Sequence, residues 1–408
     1  MGKRIFDVII IGGGISGLYC AYLLKVSKVS KSLMILEKEN YVGGRIKTLK
    51  YKNKLLDVGA QYISENVIKL LQRKRFPIKF KIIREPSTVL FFGDKKIIWK
   101  NNLKVLLDLP LSIKAKIFLL RDIQRLMLLG NKYDIEIEKF VSRSTINLLR
   151  PFVTGITSEK IENFSTSYIS FLLKNVYQRA YYSPSKFILH LCNFLKKEII
   201  KNAEVVKIKD AGEYFNVFYK NRKILKKVKA KKIIFSVPPD ELINKFSELL
   251  TKRKIKSLKE VKYSSGIVVS IKINRKLPYF AYFFDEKPVY VMTNFSDKKI
   301  VNLFIPGFFY KDMINKGDEK IKKCIITILK SHKYLRCIMP ENSIKKIVGI
   351  TKWKKYLPIW KEGYGKIINS LKENINGRIF FCGDYTDMPS IDGAIKSSMC
   401  VFDQMINA

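Results

Sequence analysis

The chain opens on an unbroken apolar run that ends in a cluster of glycines. Val8–Ile11 are all β-branched, which is typical of a strand buried on both faces of a sheet. Gly12, Gly14 and Gly17 follow with the spacing of a tight turn that leads into a helix. A second apolar run, Leu33–Leu36, predicts a neighbouring strand. The pattern therefore predicts the strand, turn, helix and strand that begin a parallel α/β sheet.

Residues 66–174 have a mainly helical pattern. Ile113, Ile117, Leu120 and Met127 fall near one face of a helix whose other faces are rich in Lys and Arg. Such a stripe predicts packing against the core, and contact with a membrane surface is the alternative. The remaining predicted elements are a helix over Phe187–Ile200, an antiparallel ribbon over Phe215–Lys229, strands over Ile267–Ile273 and Val289–Met292, and a helix over Glu319–Leu329.

The glycine turn has the chemistry of a dinucleotide site. Gly12 permits the sharp turn, Gly14 lets the backbone approach a pyrophosphate, and Gly17 lets the helix pack close to its strand. The N–H groups at the start of the helix face the phosphates, where the helix dipole favours negative charge. Glu37, at the end of the second strand, would accept hydrogen bonds from ribose hydroxyls and repel a 2′-phosphate. We therefore expect NAD or FAD rather than NADP.

Further motifs favour FAD over NAD. The glycine pair Gly43 and Gly44 allows another close backbone approach, and the Arg45 guanidinium can neutralise phosphate charge. Gly383 and Asp384 follow an apolar run near the other end of the chain, where Asp384 is placed to hold a ribityl hydroxyl. A helix that begins near Asp392 would point its positive end at the N1–C2=O edge of a flavin.

Other segments of distinctive composition are spread over nearly the whole chain in a fixed order. Their fixed order along the chain is more specific than any single segment, because a lone glycine motif is a weak signal. They are Asp57–Tyr62, Leu149–Gly155, Asn163–Ser165, Glu204–Ile208, Lys231–Pro239, Trp353–Tyr364 and Gly377–Ser398.

Together these segments resemble the flavin-containing amine oxidase superfamily, which includes protoporphyrinogen oxidases, carotenoid-type desaturases and renalase-like proteins. The resemblance implies an α/β, two-domain FAD-binding Rossmann-like fold of the glutathione-reductase type. Its discontinuous flavin domain would cover 1–65, 182–240 and 345–408, and its α+β substrate domain 66–181 and 241–344. FAD is expected to be bound non-covalently, because no cysteine lies where some relatives attach the flavin.

The resemblance also implies site residues. Trp353 and Tyr364 are expected as aromatic side chains at the flavin face, with a catalytic role. The aromatic residues within Tyr279–Phe283 are candidates for the wall of an apolar pocket, with a place in the core as the alternative. The expected cofactor-binding residues are Gly12, Gly14, Ile15, Ser16, Gly17, Glu37, Lys38, Gly44, Arg45, Gly59, Ala60, Gln61, Tyr62, Val205, Gly383, Asp384, Asp392, Gly393, Ala394 and Ile395.

Two departures from the amine-oxidising branch bear on the substrate. That branch has a lysine on a substrate-domain strand, and this chain has Val269 at the corresponding position. That branch also often has two aromatic residues around the amine, and this chain has Tyr364 and Ser390 at those positions. These departures favour a desaturating or ring-oxidising branch. The expected activity is transfer of a hydride equivalent from a C–N or C–C bond to flavin N5, with O₂ or another electron acceptor. A flavin-binding module without turnover, or an adhesion protein for membranes or nucleic acid on a flavin fold, is the alternative.

Composition adds limits on partners and location. The net charge of +43 is compatible with a functionless lysine-rich surface, or with attraction to anionic lipid or to an anionic substrate. No nucleic-acid-binding motif accompanies the charge, so no specific nucleic-acid partner is expected. Two histidines are too few for a histidine-rich metal site, and no metal is expected. Six cysteines without a C-x-x-C pair predict free thiols and a reducing, cytoplasmic location, with peripheral membrane contact as the alternative.

Overall fold

Two large sheets organise the chain. One is mostly parallel and contains the predicted glycine turn, and the other is mostly antiparallel and is covered by helices. A short hairpin stands apart from both. The computed structural model describes residues 5–73, 76–77, 88–99, 108–176, 184–278, 281–284, 288–294 and 296–407.

Strands and helices are interleaved along the described chain. The strands are β1 (Ile5–Ile11), β2 (Leu33–Leu36), β3 (Thr48–Tyr51), β4 (Lys54–Asp57), β5 (Thr88–Phe92), β6 (Lys95–Trp99), β7 (Ile199–Ile200), β8 (Ala203–Asp210), β9 (Phe215–Asn221), β10 (Ile224–Phe235), β11 (Gly266–Ile273), β12 (Ala281–Phe284), β13 (Tyr290–Thr293), β14 (Ile300–Pro306), β15 (Ile344–Trp353) and β16 (Ile379–Phe381). The helices are α1 (Ile15–Val26), α2 (Glu65–Arg73), α3 (Ile113–Leu129), α4 (Arg143–Thr157), α5 (Thr166–Val176), α6 (Pro184–Phe194), α7 (Pro239–Phe246), α8 (Lys252–Glu260), α9 (Asp318–Ser331), α10 (Lys333–Ile338), α11 (Tyr364–Lys372) and α12 (Ile391–Ile406).

The first sheet has the strand order β7-β2-β1-β10-β9-β8, and β16 pairs with β10. Strand β1 is parallel to both neighbours, so that Ile9 lies between Met34 and Ile233. Ile9 belongs to one apolar cluster and Ile10 to another, because successive side chains of a strand point to opposite faces. The sheet is therefore buried on both faces, as its β-branched run predicts.

The second sheet has the order β15-β11-β14-β13-β12-β5-β6. The odd residues of β11, such as Val269, lie in a cluster with α9 and α10. Val268 on the opposite face lies in a cluster with Leu119 of α3 and Leu148 of α4. The second sheet is thus covered by α9 and α10 on one face and approached by α3 and α4 on the other.

Two predicted domain boundaries fall inside structural units. The predicted flavin segment from 345 takes in most of β15, yet β15 pairs with β11 in the second sheet. The predicted substrate segment from 241 includes α7 and α8, yet Leu242 and Leu258 lie in the cluster beneath the first sheet. Both boundaries are corrected, to about the end of β15 and to after α8.

Most predicted elements are confirmed, and some need correction. The ribbon is the β9–β10 pair, and the three later elements match β11, β13 and α9 within a few residues. The helix predicted to end at Ile200 ends at Phe194, and β7 follows it. The region 66–174 also contains the β5–β6 hairpin.

The predicted packing of the apolar stripe against the core is confirmed for Met127, which is partly buried, and is wrong for the other three residues. Ile113, Ile117 and Leu120 are exposed, and α3 buries Leu119 and Leu126 instead. Apolar residues lie on both sides of this helix, so the pattern did not determine which side is inward. None of the described helices has the combined length and apolar character that a membrane span requires.

Candidate functional site

A cavity of about 1430 Å³ is lined by residues of both sheets and of both ends of the chain. We call its part along the first sheet the cofactor trough, which extends from the β1–α1 turn to the start of α12. We call its part along β5, β6, β12, β13 and α4–α5 the substrate chamber, which leaves out Lys352, Lys354 and Lys355 of the same cavity. The described residues of the chamber are Thr88, Ile98, Phe152, Ile156, Tyr168, Phe171, Leu172, Asn175, Ala281, Phe283, Tyr290 and Met292.

The glycine turn leaves an opening in the trough. Gly12 has φ +104°, and a side chain there would place Cβ 2.4 Å from the carbonyl oxygen of Ser236. Gly14 is different, since a Cβ built on it has no heavy atom within 4 Å. The space above Gly14, at the N-terminus of α1, therefore fits a phosphate group that approaches the backbone.

Glu37 is fixed at the end of β2 by the backbone. Its Oε2 accepts a 2.7 Å hydrogen bond from the N–H of Gly13, and its Oε1 accepts a 2.8 Å bond from that of Glu39. Burial raises the pKa of the Glu37 carboxyl above its usual value. The neighbouring Lys38 pairs with Glu241 at 2.6 Å. A ribose would thus meet an oriented carboxyl group with remaining acceptor capacity.

Arg45 joins the two ends of the chain across the trough. Its Nη2 lies 2.5 Å from Oδ1 of Asp384, and its Nη1 donates to the carbonyl of Tyr356 at 3.3 Å. Its guanidinium carbon lies 5.5 Å from the ring centre of Tyr263. Arg45 is therefore held by an acidic, a carbonyl and an aromatic partner at once.

Two tyrosine hydroxyls in the trough are buried without a hydrogen-bond partner among the described residues. They belong to Tyr263 and Tyr385, both of which line the cavity close to Asp384. Burial raises the pKa of both phenols, so the hydroxyls stay protonated. A buried hydroxyl without a partner is costly, which indicates that a polar ligand group completes this site.

The start of α12 forms the far wall of the trough. Ser390 caps the helix, because its Oγ accepts a 3.0 Å hydrogen bond from the N–H of Gly393. The Ser64 hydroxyl donates to Asp392, and burial raises the pKa of the Asp392 carboxyl. The positive end of a capped helix thus faces the cavity, as predicted for the flavin edge.

Most residues predicted to bind the cofactor line this cavity, as does Trp353, whose indole N–H donates to the carbonyl of Val58 at 3.3 Å. Gly17, Gly393 and Ile395 do not, because they pack inside the protein around it. The predicted residues in the lining are Gly12, Gly14, Ile15, Ser16, Glu37, Lys38, Gly44, Arg45, Gly59, Ala60, Gln61, Tyr62, Val205, Gly383, Asp384, Asp392 and Ala394.

Tyr364 is not brought to the cavity lining. It follows Gly363, which has φ +76°, and its ring lies 4.7 Å from that of Trp360. Its hydroxyl donates to the carbonyl of Tyr385 at 2.9 Å. Tyr364 is therefore buried behind the trough. It does not lie in the described lining, where it was expected at the flavin face.

Val269, the position compared with the amine oxidases' lysine, does not line the cavity. Val269 points to the α9–α10 side, whereas Ser270 lies on the opposite face of β11. The Ser270 hydroxyl donates to Asn302 at 2.8 Å, and the Asn302 amide donates to Gln61 at 2.9 Å. Ser270, Asn302 and Gln61 therefore form a hydrogen-bonded network that contains no charged side chain.

Sequence reasoning missed most of the substrate chamber. Of the aromatic candidates, Phe283 lines the chamber, Tyr282 faces the opposite cluster, and Tyr279 and Phe280 lie outside the described residues. Strand alternation is the signal that separates Phe283 from Tyr282. No comparable local signal marks Phe152 and Ile156, which reach the chamber only through the packing of α4.

Comparison with known proteins assigns this arrangement to a family. A sequence profile described as flavin containing amine oxidoreductase matches residues 15–399. The chain belongs to this family. A flavin-containing amine oxidase of Danio rerio is 37% identical over 104 residues, which are 25% of this chain and 20% of that protein. The corresponding protein of Oncorhynchus mykiss is 43% identical over 103 residues, 24% of this chain and 19% of that protein. The matched segments thus span about a fifth of these relatives.

Several solved structures share the fold of this chain. Putrescine oxidase bound to putrescine has a TM-score of 0.77 at 17% identity, over 100% of both chains. Cyclohexylamine oxidase from Brevibacterium oxydans has a TM-score of 0.75 at 14% identity, over 99% of both chains. The predicted fold class is confirmed.

FAD is the cofactor of this flavin-containing family, and the trough fits it. The opening above Gly14 admits a phosphate, and the oriented Glu37 carboxyl suits a ribose. The two tyrosine hydroxyls beside Asp384 are left for further polar groups of the ligand.

We expect Tyr385→Phe to weaken FAD binding about five- to tenfold without destabilising the FAD-free protein, because its hydroxyl has no protein partner. Tyr263→Phe should behave alike. Tyr19→Phe is the matched control, since its hydroxyl is also buried without a partner but lies outside the cavity lining. FAD titration and urea denaturation measure the two effects. Equal FAD affinity in Tyr385→Phe and Tyr19→Phe would contradict this role.

Proposed function

We propose that this protein is an FAD-dependent oxidoreductase that oxidises a C–N or C–C bond of an uncharged, largely apolar substrate. The observation that carries the proposal is the chemistry of the substrate chamber. None of its described residues has a carboxylate, ammonium or guanidinium group, and its polar members are Thr88, Asn175 and two tyrosines.

A cationic amine would lose hydration in this chamber without gaining a carboxylate partner. Burying an unpaired charge is strongly unfavourable, so a protonated amine needs a carboxylate or an aromatic cage. The described chamber offers no carboxylate, and the two positions of the amine oxidases' aromatic pair are Ser390 and the displaced Tyr364. A neutral amine or an unsaturated hydrocarbon skeleton is the better match.

The chamber's residues would bind and orient such a substrate. Phe283 and Tyr290 stack with ring centres 5.4 Å apart and planes at 6°, which gives a flat apolar wall. The Oδ1 of Asn175 is buried without a hydrogen-bond partner in the described structure and can accept from a substrate N–H or O–H. FAD, when bound, accepts the hydride equivalent. The protein's part is to hold the C–H bond near the flavin and exclude water.

Anaerobic bleaching of the flavin absorbance tests the proposal. Purified protein is mixed with polyenes and uncharged porphyrinogen esters in one series and with putrescine, polyamines and cyclohexylamine in the other. We expect bleaching by members of the first series, and by amines only as the pH rises toward their own pKa. Bleaching by putrescine or polyamines at neutral pH, with no reaction in the first series, would overturn the proposed substrate class.

The electron acceptor is part of the same proposal. We infer that O₂ or a small oxidant reoxidises the flavin, and the rate of flavin recovery on admitting air measures this step. A flavin that no substrate bleaches would instead support the binding module without turnover. Peripheral contact with a membrane also belongs to the proposal, because an apolar substrate is most available there.

A further inference from the structure

Helix α3 presents an apolar row to the solvent. Its four exposed aliphatic side chains recur at helical spacing, so that they lie along one outer line of the helix. We call this row the apolar ridge. Its members, with their exposed fractions, are Ile113 (80%), Ile117 (59%), Leu120 (45%) and Leu128 (66%).

Basic side chains flank the ridge. Lys114, Arg121 and Arg125 lie along one side of the helix and Lys116 along the other. The helix has one acidic residue, Asp122, which is fully buried and accepts a 2.7 Å hydrogen bond from the N–H of Ser142. An apolar centre with cationic borders is the arrangement of helices that lie in the headgroup region of anionic bilayers.

The inner side of α3 adjoins the substrate chamber. Leu119 belongs to the same apolar cluster as the chamber residues Phe283 and Tyr290. Leu126 belongs to the same cluster as the chamber residue Tyr168. One helical layer therefore separates the ridge from the chamber wall.

We propose that the apolar ridge docks on the surface of an anionic lipid bilayer, with α3 parallel to the membrane plane. Charge complementarity selects this occupant, because the net charge of +43 and the basic borders attract anionic headgroups. A second copy of the chain would bring two basic rows together, which like-charge repulsion opposes. The ridge residues enter the interface while the positive charge of the basic borders attracts the lipid phosphates.

The experiment must separate the ridge from the charge, since a strongly basic protein adheres to anionic vesicles in any case. We compare the double variant Ile117→Ser/Leu120→Ser with the double variant Leu189→Ser/Ile326→Ser. Leu189 on α6 and Ile326 on α9 are similarly exposed, at 51% and 49%, but lie outside the ridge. All three proteins keep the same net charge.

Binding is measured by co-sedimentation of full-length protein with vesicles of phosphatidylcholine, alone or mixed with phosphatidylserine. We expect wild type and the Leu189/Ile326 variant to bind the mixed vesicles alike, and the ridge variant to bind at least about fivefold more weakly. Equal binding by all three proteins would overturn the proposal and leave adhesion by charge alone.

Depth of insertion gives a second, independent readout. An Ile117→Trp variant should be quenched by lipids brominated on the acyl chain, whereas a Leu189→Trp variant should show only the quenching of the native tryptophans. Equal quenching of both variants, or a wild-type dimer that dissociates in the ridge variant, would reject the membrane as the occupant. Flavin absorbance of the same samples reports cofactor binding separately, so failure here leaves the proposed oxidoreductase function standing.

Discussion

Replacing Gly14 by valine is expected to leave the protein folded but free of flavin. Gly14 has φ −70° and ψ 173°, which valine adopts without strain, and a Cβ there meets no protein atom within 4 Å. The new side chain would instead fill the space above the start of α1, where the pyrophosphate approaches the backbone. FAD affinity should fall at least about a hundredfold, or about 2.7 kcal/mol. Absorbance near ~450 nm per protein and FAD titration measure the loss.

Gly317→Val is a closely matched control. Gly317 caps α9 with φ −63° and ψ 156°, and a Cβ there also has open space around it. Both substitutions place valine at a helix N-cap, so each should cost a similar amount of stability, about 1 kcal/mol or less. Only Gly14→Val should lose flavin. Normal flavin content in Gly14→Val would show that the dinucleotide lies elsewhere.

Arg45→Met is expected to reduce both stability and FAD binding. The substitution leaves the Asp384 carboxylate, whose side chain is 6% exposed, without its cationic partner. Breaking a fully buried pair costs about 3–5 kcal/mol. We expect about 2–3 kcal/mol here, because the Arg45 side chain is 35% exposed and partly solvated. FAD affinity should fall about tenfold or more through lost attraction to the phosphates.

A double-mutant cycle tests whether the loss of stability in Arg45→Met comes from the unpaired Asp384 carboxylate. Asp384→Asn alone should cost about 1 kcal/mol, since the guanidinium that it leaves unpaired is partly solvated. Adding Asp384→Asn to Arg45→Met should restore part of the stability, because the buried charge disappears. Urea denaturation of the FAD-free proteins gives the four free energies. Strictly additive losses would show that Arg45 and Asp384 act independently.

Local sequence patterns predicted the trough well. The turn at Gly12 and the carboxyl of Glu37 depend on backbone geometry within a short segment, so their positions in the lining could be predicted from spacing. The pairing of Arg45 with Asp384, which are 339 residues apart, was not predicted as a contact. The resemblance placed both residues at the cofactor, but it gave no distance between them.

The errors arose where side-chain direction depends on packing. Neighbouring residues of a strand point to opposite faces of the sheet, so an error of one residue in position selects the wrong face. Val269 therefore faces α9 and α10, and the adjacent Ser270 faces the other side. The first turn of α11 directs Tyr364 at Trp360 rather than at the cavity. Helix α3 has apolar residues on both sides, so its amphipathic pattern did not decide which side is buried.

The trough is closed by both ends of the chain. Helix α12 packs on α1, and the Ser398 hydroxyl donates to the carbonyl of Ser16 at 2.8 Å. During synthesis the glycine turn leaves the ribosome long before its partners near Asp384 and Asp392 exist. We therefore expect flavin to bind only after α12 has been translated. Until then the nascent chain has to avoid aggregation without the stability that a bound cofactor contributes.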